Sequence, residues 1–177
     1  MHHSYKMERV GSTPTATTNI NFIKLKVTMF RTVSGLQVDP VVYIKEYMTT
    51  HPDLKIFVGC DSQNFGHTTI YATAIVLYTP GRGGHIIYEK EKCPKERVGA
   101  IRLMNEVWKS VELANHICDA GIQKPDFIDI DINPSKNYKS NEVFNAAVGI
   151  VESYGYKCRY KTLGPISTWC ADFVVRR

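Results

Sequence analysis

Three successive β-rich segments, joined by turns too short to hold a helix, constrain the fold of this chain more than any other feature of its sequence. Residues 55–60 (KIFVGC) are apolar on both alternations, as in a strand that is covered on both faces. Two further β-rich segments, residues 69–78 and 85–92, follow short turns at 64–66 and 79–84. Strands connected in this way form an antiparallel meander.

The second half of the chain alternates between helix and strand signals. The predicted elements are a helix from Pro94 to about Asp119, a strand at 127–132, a helix at 141–154, a strand at 156–162 and a helix at 167–175. Helices therefore separate the later strands but not the first three. The order β-β-β-α-β-α-β-α predicts an α/β fold with a mixed five-stranded sheet, antiparallel in one half and parallel in the other.

Residues 1–28 carry weaker signals. The first part of this segment has little apolar content, and apolar and polar side chains alternate at 23–29, which suits an edge strand. Asp39 and Pro40 then form a plausible N-cap and first position of a short helix. We therefore expect a poorly ordered or accessory segment at 1–28 and a single domain at 29–177.

The composition excludes several classes of protein. With 44% hydrophobic and 22% charged residues, the chain resembles an ordinary globular protein rather than a disordered or fibrous one. It contains neither an apolar run long enough to cross a membrane nor the apolar core of a signal peptide after its first residues, so we expect a cytoplasmic protein. Its five cysteines are scattered and never spaced as CxxC, which predicts reduced thiols rather than disulfides or a zinc site.

Two acidic residues share one face of the strand predicted at 127–132. Side chains reverse sides at each residue of a strand, so Asp129 and Asp131 lie on the same face and the three isoleucines on the other. One interpretation is a half-exposed strand with a wet polar face. The other is that Asp131, near the carboxyl end of the strand, is a ligand of a hard divalent cation.

Further acidic residues occur in apolar surroundings elsewhere. Asp61 follows a strand that is predicted to be buried, where it either begins a turn or needs a compensating cation. In the long helix, both Glu96 and Glu106 could face a site, but Glu96 in the first turn also suits the helix dipole. Asp172 lies in the last predicted helix and is either solvated or directed into a site.

These residues resemble a known family. The segments 56–63 (IFVGCDSQ), 130–133 (IDIN) and 171–172 (AD), in the predicted order of elements, are similar to the ribonuclease H-like superfamily and more closely to its YkuK-type bacterial family. The resemblance implies a three-layer fold and a series of four carboxylates, carried here by Asp61, Glu106, Asp131 and Asp172. It also implies a metal-dependent nuclease. Phosphodiester hydrolysis with two Mg²⁺ or Mn²⁺ ions requires convergent carboxylates of this kind.

Basic and aromatic residues suggest where a nucleic acid could bind. Lys136, Tyr138 and Lys139 follow the strand that carries Asp131, and they could contact phosphates and a base or sugar. The alternative is a solvated loop. The two tryptophans, Trp108 and Trp169, are expected to belong to the core rather than to a stacking surface.

Three functions follow from these observations. The first is a divalent-metal nuclease whose partner is RNA, an RNA/DNA hybrid or a structured DNA, and which hydrolyses RNA or an RNA-containing duplex. The second is a nucleic-acid-binding domain of the same fold without turnover, and the third is a protein-interaction module in which the acidic residues are surface groups.

Overall fold

A computed structural model describes residues 29–176 of the protein. The segment 1–28, predicted to be accessory, lies outside the described residues, as does most of the strand predicted at 23–29. The elements are β1 (Phe30–Thr32), β2 (Gln37–Val38), α1 (Pro40–Thr50), β3 (Lys55–Phe65), β4 (Thr68–Thr79), β5 (Gly83–Pro94), α2 (Gly99–Asp119), β6 (Phe127–Ile130), a 3₁₀ turn (Lys139–Val143), α3 (Phe144–Ser153), β7 (Cys158–Tyr160), a 3₁₀ turn (Lys161–Leu163) and α4 (Ile166–Val175).

The strands form one mixed sheet in the order β2-β1-β5-β4-β3-β6-β7. Strands β3, β4 and β5 are the predicted antiparallel meander, and β6 and β7 run parallel to β3, so the two predicted halves are confirmed. The predicted number of five strands is wrong. A hairpin of β1 and β2 adds to the edge at β5, and its strands of three and two residues are too short to produce a periodic pattern.

Two predicted boundaries also differ from the structure. Asp61 does not end its strand, because β3 continues to Phe65 and pairs with β4 along its whole length. The long helix begins at Gly99 rather than at Pro94, since Pro94 is still paired with Thr68 in the sheet. In contrast, the first helix begins as predicted, with the Asp39 carboxylate accepting a hydrogen bond from the Val42 amide at 2.9 Å.

Helices cover both faces of the sheet, which gives the three layers that the resemblance implies. On one face, α1 and α2 cover the antiparallel half, and α2 and α3 cover the isoleucines of β6. On the other face, α4 packs against small residues of β4. Within residues 29–176, no helix combines the length and the apolar character that a membrane span requires.

Helix α4 approaches the sheet closely because Gly59 has no side chain. A β-carbon at Gly59 would lie 2.7 Å from Oγ of Ser167 and 3.0 Å from the backbone nitrogen of Thr168. Across the strand pair, Gly59 is opposite Ala74, and Asp61 is opposite Ala72, both of which contribute to the cluster under α4. Small side chains therefore set the distance between the helix and the strand that carries Asp61.

Asp129 attaches the start of α4 to the sheet. Its side chain is fully buried and accepts hydrogen bonds from the Ser167 amide at 2.7 Å and the Ser167 hydroxyl at 2.6 Å. The Arg159 guanidinium, on the neighbouring strand β7, binds the same carboxylate in a bidentate ion pair. The interpretation of this face as half-exposed and wet is therefore wrong, because α4 covers it.

We expect Gly59→Ala to destabilise the protein by about 1–3 kcal/mol, since the added methyl group would force α4 away from β3. The measurement is the free energy of unfolding from urea denaturation. Gly149→Ala is the matched control, because Gly149 lies within α3 and a β-carbon there meets no atom within 4 Å. The control should gain about 0.5–1 kcal/mol from helix propensity. Equal stability of the two variants would contradict the close-packing argument.

Candidate functional site

A cavity of about 800 Å³ brings together the four carboxylates predicted from the resemblance. Asp61 comes from β3, Glu106 from α2, Asp131 from the residue after β6, and Asp172 from α4. The competing Glu96 does not line this cavity. It precedes α2, where its amide donates to the Thr69 hydroxyl and its own carboxylate accepts from the Val98 amide.

The cavity forms where the parallel half of the sheet ends. The pairing of β3 with β6 stops at Gly59 and Asp129. Asp61 and Asp131 follow these residues by two positions, and side chains two positions apart lie on the same face of a sheet. Both of these carboxylates are therefore on the face covered by α4. Glu106 arrives from the opposite face, where its Oε1 accepts a hydrogen bond from the Ser62 hydroxyl at 2.5 Å. Because β6 no longer pairs with β3 beyond this point, the sheet has an opening beside β3. Side chains from both faces of the sheet meet in this opening.

Burial and mutual repulsion raise the pKa of two of these acids. Burial raises the pKa of Asp61 to about 7, with further contributions from the negative charges of Asp172 and Asp131 and from a hydrogen bond with Asp172, although the Ser62 amide opposes the shift. Burial also raises the pKa of Glu106 to about 8, and the nearby Asp61 adds to the effect. The hydroxyl of Ser62 and the charge of Arg102 oppose it only in part. Near neutral pH, protons would therefore compete with a cation for these two carboxylates.

Three basic side chains form ion pairs with the acids other than Asp61. Arg102 lies 3.2 Å from Glu106 and also donates to the backbone oxygen of Ser62 at 2.6 Å. Lys161 lies 3.1 Å from one oxygen of Asp131.

Arg176 also lines the cavity and binds Asp172 at 2.6 Å. Within residues 29–176, Asp61 is the member of the four without an ion pair to a basic side chain.

The four carboxylates are suitable ligands for a hard divalent cation, but they do not surround a common metal position. All four side chains offer carboxylate oxygens, the ligands that Mg²⁺ and Mn²⁺ prefer. Oδ1 of Asp131 is buried and accepts no hydrogen bond, although Nζ of Lys161 lies 3.1 Å from it. Nevertheless, the described part of the chain contains no group of three His, Cys, Asp or Glu side chains that already surrounds a common metal position. Metal binding would have to draw the carboxylates inward and release their basic partners.

The predicted contacts to nucleic acid are only partly at this cavity. Lys139 lines it, whereas Lys136 and Tyr138 are exposed in the same loop and do not. The prediction that both tryptophans belong to the core is wrong. Trp169 is 55% exposed and lines the cavity, and Trp108 is 39% exposed at a separate surface near Glu96.

Sequence reasoning missed the basic residues that pair with the acids. Arg102 could have been found, because it lies four residues before Glu106 on the same helix. Arg176 has the same spacing from Asp172. Lys161 carries no local signal, since 30 residues separate it from Asp131 and only the sheet brings them together.

Comparison with known proteins gives one match. A family model described as ribonuclease H-like matches residues 40–176, which is more than half of the chain. No curated protein and no solved structure matches the sequence. The matched region includes all four carboxylates of the cavity.

We expect the metal-free protein to lose stability as the pH rises from about 4 to 8, because folding raises the pKa of Asp61 to about 7 and that of Glu106 to about 8. An acid with a raised pKa binds a proton in the folded state that the unfolded state has already lost, so the folded state is penalised above the unfolded pKa. In EDTA at pH 8, Asp61→Asn should therefore melt several degrees above the unchanged protein, since each kcal/mol of stability shifts the melting temperature by roughly 2–4 °C. At pH 4, the two proteins should melt at nearly the same temperature. The exposed Asp53→Asn is the control and should show no such pH dependence. Identical melting of Asp61→Asn and the unchanged protein at pH 8 would contradict the shift.

Proposed function

Because this chain belongs to the ribonuclease H-like family, we propose that it is a divalent-metal-dependent nuclease that hydrolyses phosphodiester bonds in RNA or an RNA-containing duplex. The observation that carries the proposal is the gathering of four carboxylates from distant segments in one cavity. The family supports a nuclease or nucleic-acid-binding role. Membership of the YkuK-type branch and a cytoplasmic location are further parts of the proposal, the latter supported by five free cysteines.

Asp61, Glu106, Asp131 and Asp172 would hold two Mg²⁺ or Mn²⁺ ions. When bound, such ions activate a water molecule and stabilise the leaving oxygen. Asp61 is the common neighbour of the set, since Asp172 and Asp131 both raise its pKa and it raises that of Glu106. Asp61 would therefore be the central member of the set of acids that holds the ions.

Other side chains of the cavity prepare the carboxylates for this role. The Ser62 hydroxyl and Arg102 both bind Oε1 of Glu106 and thus fix its orientation from the α2 side. Asp129 orients α4, and with it Asp172, through its bonds to Ser167. These contacts hold two of the four acids on elements that approach the cavity from opposite faces of the sheet.

A nucleic-acid-binding domain without turnover is the second candidate. It is favoured by the ion pairs of Glu106, Asp131 and Asp172, which already neutralise three acids without a metal. It is also favoured by the lack of a preformed metal cluster in residues 29–176. Metal-dependent cleavage separates this candidate from the nuclease.

We expect Glu106→Gln to abolish Mn²⁺-dependent cleavage of a nucleic-acid panel, with a loss of roughly a thousandfold or more, because it removes a charged metal ligand. The panel consists of single strands, duplexes and RNA/DNA hybrids. Glu112→Gln is the matched control, since Glu112 lies on the same helix but is exposed outside the cavity. Calorimetry should show weaker Mn²⁺ binding for Glu106→Gln alone. A protein that binds nucleic acid but cleaves no member of the panel would support the second candidate.

We also expect Lys139→Glu to weaken nucleic-acid binding and to reduce the dependence of affinity on salt by about one released counterion. Lys139 lines the cavity, whereas Lys136 in the same loop does not, so Lys136→Glu is a control with the same change of charge. Binding is measured by fluorescence anisotropy over a range of salt concentrations in EDTA. If the two variants have equal slopes, the assigned phosphate contact of Lys139 is wrong.

A further inference from the structure

Trp169 occupies an unusual place for so large an apolar side chain. It is 55% exposed and lines the cavity that holds the four carboxylates. It also lies three residues before Asp172 on α4, so both side chains project from the same side of the helix. An indole ring therefore stands beside the proposed metal ligands.

The ring lies near the turn that precedes α4. Gly164, in the turn before α4, has a left-handed backbone with φ of +72°, and a β-carbon there would lie 3.8 Å from Cη2 of Trp169. Within residues 29–176, Trp169 has no aromatic partner and its Nε1 donates no hydrogen bond. Trp108 differs, because its ring packs edge-on against Tyr154 at a centroid distance of 6.0 Å.

Basic groups accompany the indole ring. Lys139 and Lys161 line the same cavity, and Lys139 is exposed and forms no ion pair with the described residues. An exposed aromatic side chain and a free ammonium group in one cavity match the two recognition elements of a nucleotide, its base and its phosphate. A neutral peptide could pack against the ring but would bring no anion to the free lysine.

We propose that Trp169 stacks on an unpaired base of a single-stranded nucleic acid and so places the adjoining phosphodiester beside the four carboxylates. This inference rests on the proposed function and specifies its substrate. Bases inside a duplex are covered on both faces by their neighbours, so away from the duplex ends only an unpaired nucleotide can offer a face to the indole ring. Every base has such a face, and the interaction is therefore tolerant of sequence.

The first test uses fluorescence, because the chain contains only two tryptophans. In Trp108→Phe, the emission reports on Trp169 alone. The variant is titrated in EDTA with a single strand of about ten nucleotides, a blunt duplex of the same length and a single strand without bases. We expect quenching by the normal single strand and little change with the other two. Equal quenching by the duplex or by the strand without bases would overturn the proposal.

The second test measures affinity for the same oligonucleotides by anisotropy. Trp169→Leu should bind the normal single strand roughly 5- to 150-fold more weakly, while Trp169→Phe should recover much of the loss. Affinity for the strand without bases should be equal in all three proteins. A loss of the same size on that strand would show a general structural effect and would overturn the stacking assignment. If Trp169→Leu fails to fold, as judged by urea denaturation, the fluorescence test still decides.

Failure of this inference is distinguishable from failure of the proposed nuclease. If single strands quench Trp169 but Mn²⁺ produces no cleavage, the stacking site is supported and the nuclease is not. If Mn²⁺-dependent cleavage occurs and Trp169→Leu binds single strands with unchanged affinity, the nuclease stands and the stacking site is overturned.

Discussion

The buried carboxylate of Asp129 is the interaction on which the candidate site depends. It binds Arg159 on the adjacent strand β7 and both the amide and the hydroxyl of Ser167, so it ties the first turn of α4 to β6 and β7. Breaking a buried pair of this kind by removing one partner typically costs about 3–5 kcal/mol. Because α4 carries Asp172 and Trp169, its position decides whether the fourth carboxylate and the indole ring reach the cavity at all.

The sequence was informative where a local period carried the signal. Alternation at 127–132 correctly placed Asp129 and Asp131 on one face of a strand. The helical periodicity of α2 allowed Glu106 to face a site and so kept it among the candidate metal ligands. The same reasoning could not exclude Glu96, because Pro94 was interpreted as the start of the helix. In the structure Pro94 pairs with Thr68, and the long hairpin of β4 and β5 leaves Glu96 outside α2. Tertiary pairing overrode a local signal at this boundary.

The remaining differences depend on which elements meet, and no local pattern contains that information. Alternation gives the two faces of a strand but not the element that covers each face, so the burial of Asp129 by α4 was not foreseen. Similarly, Trp169 has the large apolar side chain of a typical core residue, and only the position of α4 leaves it exposed. The pairing of Lys161 with Asp131 depends on two parallel strands that are separated by a helix in the sequence.

The ion pairs of the cavity have a consequence for how a nucleic acid could approach it. A cluster of bare carboxylates presents a strongly negative potential and would repel a polyanion at long range. Here the lining residues include Arg102, Lys139, Lys161 and Arg176 beside the acids. The positive and negative charges that line the cavity are therefore close to balanced even before a divalent cation binds. Electrostatics therefore allows a polyphosphate chain to associate with the cavity before a metal ion binds.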